Sequence, residues 1–294
     1  MEDITTFLDS LNADINNIGD EQKKLEAKVR LEQTMKVYSG DDELVSSIDI
    51  LEKLKTQPEE EKHLTGIKEL DAILKGFRKN QLIVLAAPTK SGKSQMTVEL
   101  AIRMPETNPV FIPFEESAEE LVMKFKDRGE VPPLFYTPKS ITNNTLDWIE
   151  KKIVEGIVKY NSKLFFIDHL HFIVPFSSDR LDTRIGQTMR ALKTIAKEHN
   201  IIIVLVAHLK KTNVAVSPTL EDLRDSSFVA QEADTVLMMW RESKRKDGVM
   251  ITTNRTIISV QANRRTGSTG NVKLIFKDGR YYEENWESED DYDF

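Results

Sequence analysis

Residues 82–94, LIVLAAPTKSGKS, decide the fold of this chain. A continuous apolar run, typical of a strand buried on both faces, leads into a short loop, and the helix-forming segment KSQMTVELAI follows. The loop nearly matches the phosphate-binding pattern G-x-x-x-x-G-K-[ST], because Gly92, Lys93 and Ser94 complete its second half. Ala87 replaces the first glycine, and its methyl group is tolerable if the backbone φ is negative there. The order strand, loop, helix favours a nucleotide site over a turn that carries GKS by chance.

The sequence around this loop predicts an α/β fold with a mainly parallel central sheet. Three further apolar runs have the length of buried strands, and segments with helical periodicity separate them. After Ala233 the pattern becomes strand-rich, which predicts antiparallel strands that extend one edge of the sheet. The predicted strands are 82–87, 109–114, 163–168 and 200–208, the helices 93–104, 118–129, 144–160 and 184–200, and the later strands 235–240, 256–262, 271–276 and 281–284.

Composition excludes several kinds of chemistry. The 294 residues include no cysteine, which rules out disulfides, thiolate metal sites and a cysteine nucleophile. The five histidines are too scattered along the chain to predict a zinc cluster. No apolar run is long enough to span a membrane, and the N-terminus MEDITTFLDS shows no signal-peptide pattern. We therefore expect a soluble, cytoplasmic protein with no membrane partner.

Negative charge is concentrated near the C-terminus. The chain carries a formal net charge of −7, from 48 acidic and 41 basic residues. Residues 282–294, YEENWESEDDYDF, contain seven of the acids and no base, so the rest of the chain is neutral. A neutral body can still present a local basic groove, and net charge does not exclude a nucleic-acid partner.

The N-terminal region is polar and charged, unlike the chain after Leu64. Good helix formers at 21–38 and an apolar stripe at 43–55 predict two helices. Short helices do not bury their stripes alone, which predicts packing on the core domain or on a neighbouring subunit. The alternative for 21–38 is a simple solvated helix. The predicted organisation is a helical N-terminal extension at 1–40, a linker with a docking helix at 41–63, the core domain at 64–281 and an acidic tail at 282–294.

Acidic side chains follow two of the predicted strands. Asp168 ends the strand KLFFID, at the edge where open parallel sheets bind ligands, and would hold Mg²⁺ together with the hydroxyl of Ser94. Glu115 follows the strand PVFIPF and could orient or deprotonate a water that attacks a phosphate. Glu116 competes for this role, and either glutamate is also suited to cap the next helix. Lys93 would reach the β- and γ-phosphates.

Taken in order, these motifs resemble those of hexameric replicative DNA helicases of the DnaB type, which have a RecA-like P-loop NTPase core. The resemblance covers roughly residues 64–280 and begins with LTGIKELDAILKGF, similar to the TG-x-x-x-LD lead-in of that family. The family's own phosphate loop also has alanine in place of the first glycine. The predicted nucleotide-binding residues are Ala87, Pro88, Thr89, Lys90, Ser91, Gly92, Lys93 and Ser94.

The resemblance also assigns roles beyond the phosphate loop. Glu115 in FEESAEELVMKF falls on the catalytic glutamate, and Asp168 in FFIDHLHFI falls on the metal-binding aspartate. His208 in VLVAHLKK falls on the phosphate sensor, and its histidine form is closer to bacteriophage helicases than to bacterial ones. NRRTGSTGNVKLIF resembles the arginine-finger motif, with Arg265 as first choice and Arg264 as second. Because such a finger acts on a neighbouring subunit's nucleotide, the resemblance implies a homo-oligomeric ring, a hexamer in this family.

One segment, DLRDSSFVAQEADTVLMM, resembles the segment of the family with the DNA-facing loop, and Ser227 replaces a glycine that is usual there. Its arginine and the lysines of HLKKTN would face the central channel and hold the backbone of single-stranded DNA. The alternative is a solvated basic loop with no role in DNA binding. The predicted DNA-binding residues are Lys210, Lys211, Arg224, Asp225 and Ser227.

The resemblance implies an enzyme that hydrolyses ATP, or another nucleoside triphosphate, with Mg²⁺. It would translocate 5′→3′ on single-stranded DNA and unwind duplex at a replication fork, in the cytoplasm of a bacterium or a phage-infected host. A RecA- or KaiC-like DNA-binding recombinase or mediator is the main alternative, because such proteins share the first three motifs. A nucleotide-gated module without turnover is a third reading. Primase activity is not expected, because the chain has no zinc ligands for a primase domain.

The acidic tail resembles partner-binding tails of phage replication proteins. Trp286 and Phe294 would be its anchors, and its acidic residues would meet a basic patch on a polymerase, primase or loader. The alternative is a disordered terminus that keeps the protein soluble.

Overall fold

The structure, a computed structural model, divides the chain into two compact units, Met1–Glu59 and Glu60–Phe294. Among the described residues, every helix is too short or too polar to cross a bilayer. The residues described are scattered positions between 13 and 28 and the segments 45–56, 61–89, 91–126, 134–177, 180–209, 217–223, 226–246 and 249–284.

The N-terminal unit contains helix α1, Ser47–Thr56. The hydroxyl of Ser46 accepts a hydrogen bond from the backbone N–H of Asp49 at 3.1 Å and so caps the first turn. Every residue of α1 is exposed, and its apolar stripe is exposed with the rest. The stripe consists of Ile48, Ile50, Leu51 and Leu54. Most of the predicted helix 21–38 lies outside the described residues.

The larger unit is built on a mixed sheet. Its strands are β1 Lys62–His63, β2 Phe77–Arg78, β3 Gln81–Ala87, β4 Val110–Pro113, β5 Leu164–Asp168, β6 Ile202–His208, β7 Thr235–Lys246, β8 Val249–Asn263, β9 Gly270–Lys277 and β10 Arg280–Glu283. Eight of them form one sheet in the order β10-β9-β8-β7-β3-β6-β5-β4. In this order, the strands β7, β3, β6, β5 and β4 pair in parallel with one another. The pairs β7–β8, β8–β9 and β9–β10 are antiparallel. This arrangement confirms the predicted fold class.

Helices cover both faces of this sheet. They are α2 Lys68–Leu74, α3 Lys93–Arg103, α4 Ala118–Lys126, α5 Leu146–Tyr160, α6 Leu170–Ile173, α7 Leu181–Glu198 and α8 Ser226–Glu232. Successive side chains of β3 point to opposite faces, as strand geometry requires. Ile83 and Leu85 enter a core shared with α2 and α3, whereas Leu82 and Val84 enter a core shared with α5 and α7. Because both faces are buried, a polar ligand can reach this sheet only at the ends of its strands.

The strands β7 and β8 form a long ribbon that the sequence pattern underestimates. They span 12 and 15 residues, whereas the predicted strands were 235–240 and 256–262. The outer halves of the ribbon are rich in polar residues, so they lack the apolar run on which the prediction relied. The prediction also missed α2, α6, α8 and the small sheet of β1 and β2.

The TG-x-x-x-LD lead-in has a structural explanation in this chain. The carboxylate of Asp71, in α2, accepts hydrogen bonds from the backbone N–H of Thr65 at 2.8 Å, from its hydroxyl at 2.9 Å and from the N–H of Gly66 at 3.1 Å. Gly66 has a φ of 72°, a left-handed conformation that glycine adopts at little cost. The aspartate therefore fixes the turn that leads into the core.

The carboxyl ends of four parallel strands meet at one edge of the sheet. Ala87 at the end of β3 is paired with His208 at the end of β6. Asp168 at the end of β5 is paired with Pro113 at the end of β4, and its carbonyl accepts a hydrogen bond from Phe114 at 2.7 Å. This edge therefore collects the phosphate loop and the segments that follow the other three strands.

Candidate functional site

The phosphate loop joins β3 to α3 at this edge. Gly92 has a φ of 94°, and a Cβ there would lie 2.5 Å from the hydroxyl oxygen of Tyr281, so both backbone and space require glycine. Ala87 is instead the last residue of β3, and its φ is not positive. Alanine is therefore compatible with the first position of the pattern. Lys90, in the same loop, lies outside the described residues.

Lys93, the first residue of α3, is buried at the centre of the site. Its ammonium nitrogen lies 3.3 Å from the carbonyl oxygens of Ala87 and Pro88 and 3.0 Å from Nδ1 of His208. Burial lowers the pKa of Lys93, and the carboxylates of Asp168 and Glu115 oppose that shift. Among the described residues no carboxylate forms an ion pair with Lys93, so its charge is available for a phosphate.

Ser94 and Asp168 form the oxygen pair that the sequence predicts as a metal site. The Ser94 hydroxyl lies 3.4 Å from Oδ2 of Asp168, while the buried Oδ1 has no hydrogen-bond partner among the described residues. Burial raises the pKa of Asp168 to about 6, and the nearby carboxylates of Glu115 and Glu116 add to the shift. A hydroxyl and an unsatisfied carboxylate oxygen are hard ligands of the kind that Mg²⁺ binds. These two residues therefore fit the predicted cation.

The two candidate glutamates have different environments. Glu116 forms an ion pair with Lys124 of α4 and is largely buried. Glu115 faces the phosphate loop, where its Oε1 lies 3.4 Å from Nε2 of His208 and 3.0 Å from Nδ1 of His169. The pairing of Glu116 favours Glu115 as the residue that faces a reacting group.

The structure brings together histidines that the sequence leaves scattered. Donor atoms of Glu115, His169 and His208 all lie within 4.8 Å of one another, so these three side chains could also hold a metal ion. Burial lowers the pKa of His169 to about 4, which leaves its imidazole neutral at pH 7. Of these two histidines, only His208 is marked as a site residue by a sequence motif.

A cavity of about 460 Å³ opens in front of these groups. Its wall includes Arg241 of β7 and Phe276 of β9, and the guanidinium carbon of Arg241 lies 4.9 Å from the centre of the Phe276 ring. No motif assigns these two residues to the nucleotide site, because only the sheet order places β7 and β9 beside the phosphate loop. A larger cavity of about 530 Å³ lies beside β4 and is lined by none of the predicted site residues. The cavity in front of the site is lined by Thr89, Gly92, Lys93, Ser94, Gln95, Glu115, Lys124, His208, Arg241 and Phe276.

The candidate finger arginines lie near the amino ends of the parallel strands, at the other end of the sheet from the phosphate loop. Arg264 and Arg265 are exposed in the turn after β8, and they are not among the described residues that line the cavity. Asn263, just before them, is paired with Thr235, which in turn is paired with Ile83 near the start of β3. The end of β3 is a further four residues, or about 13 Å, along the strand. The two arginines therefore lie at the other end of the strands from their own chain's phosphate loop.

Four of the five predicted DNA-binding residues, Lys210, Lys211, Arg224 and Asp225, lie outside the described residues. Ser227 lies in α8, and its side chain is also outside them. Leu209 and Leu223, which flank these positions, form an antiparallel bridge. The two predicted DNA segments therefore attach to the core at neighbouring points.

Comparison with known proteins identifies the family. A family model for the DnaB-like helicase C-terminal domain matches residues 64–132 and 130–283. The chain belongs to the DnaB-like helicase C-terminal domain family. This membership agrees with the resemblance carried by the phosphate loop, Glu115 and Asp168.

Curated relatives of this DnaB-like chain are replicative helicases. It is 25% identical over 250 residues to replicative DNA helicase DnaB of Leifsonia xyli, a match covering 72% of this chain and 53% of the relative. It is 27% identical over 271 residues to DnaB of Haemophilus influenzae, covering 79% and 57%. The chain thus spans little more than half the length of these relatives.

Two solved structures share the fold of this DnaB-like chain. The ATPase domain of G40P is 18% identical, with a TM-score of 0.66, over 80% of this chain and 96% of that one. A DnaB-like replicative helicase, solved in a study of its interactions with primase, is also 18% identical, with a TM-score of 0.67, over 94% and 76%.

Proposed function

We propose that this chain is an ATP-dependent DNA helicase that hydrolyses ATP at the interfaces of a homo-oligomeric ring. The observation that carries the proposal is the convergence of Lys93, Ser94, Glu115, Asp168 and His208 at the carboxyl ends of four parallel strands. A buried cation, a hydroxyl–carboxylate pair and an outward glutamate are the groups that phosphoryl transfer to water requires.

The phosphates of ATP would lie along the loop and the start of α3. Gly92 lets the backbone approach them closely, and the amides of the first turn of α3 point toward them. Lys93 would exchange its contacts with two carbonyl oxygens for contacts with the β- and γ-phosphates. Ser94 and Asp168 would hold Mg²⁺, which, when bound, neutralises charge on the phosphate oxygens.

Glu115 would hold the attacking water. Its carboxylate is directed into the cavity, while Glu116 is engaged by Lys124. His208 joins this group to the phosphate loop, because its two ring nitrogens contact Lys93 and Glu115. A γ-phosphate that draws Lys93 away would release one side of His208, which supports its role as the phosphate sensor.

Arg241 and Phe276 would bind the base and ribose side of the nucleotide. Their stacked side chains line the cavity and offer a flat surface with a positive charge above it. Stacking of this kind accepts any base. We therefore propose ATP as one of several nucleoside triphosphates that the site accepts.

Arg265, with Arg264 as the alternative, would complete the site of a neighbouring subunit. Both arginines lie at the far edge of the sheet from their own phosphate loop, which favours action in trans. A finger arginine contributes about 10³–10⁵ in rate in known phosphoryl-transfer enzymes. A head-to-tail interface repeated around a ring gives every site its finger, and a hexamer is the proposed form.

The remaining regions are assigned to assembly and partners. We propose that residues 41–63 form a linker in which α1 buries its exposed stripe on a neighbouring copy, after a helical extension at 1–40. The ATPase domain at 64–281 would bind single-stranded DNA through Lys210, Lys211, Arg224, Asp225 and Ser227. The acidic tail at 282–294 would bind a polymerase, primase or loader, and the protein would act in the cytoplasm.

ATP hydrolysis with and without single-stranded DNA tests this function. We expect DNA to stimulate the wild type, while Glu115→Gln and Arg265→Ala bind ATP, assemble normally and lose turnover. Unwinding of a forked duplex with a 5′ tail then distinguishes a helicase from a recombinase, which would exchange strands without processive unwinding. A wild type that hydrolyses no nucleotide under any of these conditions would contradict the proposal.

A further inference from the structure

We propose that His169 is a positioning residue that holds the carboxylate of Glu115 for the hydrolytic step. This proposal rests on the proposed function, because it assigns Glu115 to the attacking water. It adds a residue that none of the sequence motifs identifies for this chain.

The ring of His169 is fixed beside Glu115. His169 follows Asp168 at the end of β5, and only 7% of its surface is exposed. Its imidazole packs edge-to-face against two neighbouring rings. The ring centroids of His169 and Phe172 are 4.9 Å apart with an interplanar angle of 79°, and those of His169 and His208 are 4.4 Å apart with an angle of 83°. The direction of its Nδ1 is therefore set by packing and not by solvent.

The buried Nδ1 of His169 lacks a well-aligned hydrogen bond among the described residues. Oε1 of Glu115 lies 3.0 Å from it, close enough for a hydrogen bond but outside the favoured direction. The Glu115 side chain is 39% exposed and can rotate until its carboxylate is aligned with Nδ1 of His169, whereas the packed imidazole cannot rotate. Hydrogen bonds of catalytic groups are often poorly aligned before substrate binds and tighten when it does.

The protonation of the two histidines explains how Glu115 would be oriented. Lys93 donates to Nδ1 of His208, which places the proton of that ring on Nε2, facing Oε1 of Glu115. Nδ1 of His169 lies 3.0 Å from the same oxygen and, when it carries the proton of its ring, would donate to it once Glu115 turns into line. Two donors on Oε1 leave Oε2 available to accept a proton from water.

His169 differs from His208 in being independent of the nucleotide. When a γ-phosphate engages Lys93, the contact between Lys93 and His208 would be lost, and one side of the His208 ring would face the phosphate. His169 forms no hydrogen bond with Lys93 among the described residues, and it would retain its place beside Glu115. It is therefore the donor that can hold Glu115 throughout hydrolysis.

Three variants separate positioning from packing. His169→Asn keeps an N–H donor near the position of Nδ1, whereas His169→Leu keeps bulk and removes the donor. We expect His169→Leu to lower kcat roughly 10- to 100-fold, the scale of a misplaced catalytic group, with little change in KM or assembly. His169→Asn should recover most of that loss. In a Glu115→Gln background, which is expected to lose turnover, His169→Leu should leave ATP binding and assembly unchanged, because a positioning role acts only through Glu115.

Two results would overturn the proposal. One is equal loss in His169→Asn and His169→Leu, accompanied by a raised KM or weaker assembly, which would indicate a packing role. The other is wild-type kcat in His169→Leu while Glu115→Gln is inactive, in which case the proposed function stands and the positioning role fails. Full turnover in Glu115→Gln would instead contradict the proposed function itself.

A transition-metal chelator without affinity for Mg²⁺ should leave the wild-type rate unchanged, because in this proposal hydrogen bonds and not a metal ion link Glu115, His169 and His208.

Discussion

The hydroxyl of Tyr281 donates a hydrogen bond to the carbonyl oxygen of Gly92 at 3.2 Å. Tyr281 is fully buried in β10, the last strand of the sheet, and Gly92 is the residue before α3. Strand β10, which precedes the acidic tail, therefore supports the phosphate loop through this hydrogen bond. This contact joins positions 189 residues apart, and no local pattern predicts it.

The effect on nucleotide affinity of a substitution at Gly92 should depend on the residue at position 281. Gly92→Ala places a methyl group 2.5 Å from the Tyr281 hydroxyl and strains a positive φ, so we expect nucleotide binding to be lost. Tyr281→Phe alone removes one hydrogen bond and should weaken binding by about 1 kcal/mol. The double variant should bind more tightly than Gly92→Ala, because the oxygen that clashes is gone. Calorimetry with a non-hydrolysable ATP analogue measures all three, and a double variant no better than Gly92→Ala would argue against the contact.

Asp168→Asn should stabilise the nucleotide-free protein while abolishing Mg²⁺-dependent turnover. Because burial raises the pKa of Asp168 to about 6 from 3.8, its ionised form costs stability above pH 6, and that cost disappears as the pH falls below 4. We expect the variant to be more stable at pH 7.5 by about 3 kcal/mol, with the difference shrinking as the pH falls through 6. Urea unfolding without Mg²⁺ at pH 7.5, 6 and 4.5 measures it. The variant Asp278→Asn, at an exposed position, is the control. A variant Asp168→Asn that is less stable than the wild type at pH 7.5 would contradict a destabilising burial of ionised Asp168.

Phe276→Ala should weaken binding of all nucleoside triphosphates to a similar degree. The loss of a stacking surface beside Arg241 is worth about 1–3 kcal/mol and carries no base identity. Phe276→Tyr keeps the ring and serves as the matched control. Fluorescence titrations with ATP, GTP and CTP analogues check this, and loss of affinity for only one base would show a base-specific site instead.

Asp71→Ala should destabilise the core domain. Its carboxylate accepts three hydrogen bonds from Thr65 and Gly66, and their removal should lower the free energy of unfolding by about 2–3 kcal/mol. The exposed Glu69→Ala in the same helix should change stability by less than about 0.5 kcal/mol. Denaturant unfolding of both variants measures the difference. Equal effects would mean that the lead-in turn does not depend on Asp71.

The central fold was predictable because its signals are local. The strands 164–168 and 202–208 are continuously apolar up to their last residue, as strands buried on both faces must be. The outer ribbon of β7 and β8 was underestimated because its residues are half-exposed and polar, so that pairing rather than burial defines them.

Candidate site residues were predictable where they are the defining residues of a motif, and not where the fold brings distant segments together. Lys93, Ser94, Glu115, Asp168 and His208 were predicted, and they meet at one edge. Arg241 and Phe276 were missed because they come from β7 and β9, which only the sheet order places beside the phosphate loop. His169 was missed because the motif around it directs attention to the preceding aspartate.

Mixing two inactive variants tests most directly whether sites are shared between subunits. Glu115→Gln supplies an intact Arg265, and Arg265→Ala supplies an intact Glu115. If the finger acts in trans, random mixed assemblies contain both intact groups at about a quarter of their interfaces. We predict that DNA-stimulated ATP hydrolysis reappears in the mixture, while Glu115→Gln mixed with itself stays inactive. Mixed assemblies that are verified by mass spectrometry and remain as inactive as either parent would contradict hydrolysis at subunit interfaces.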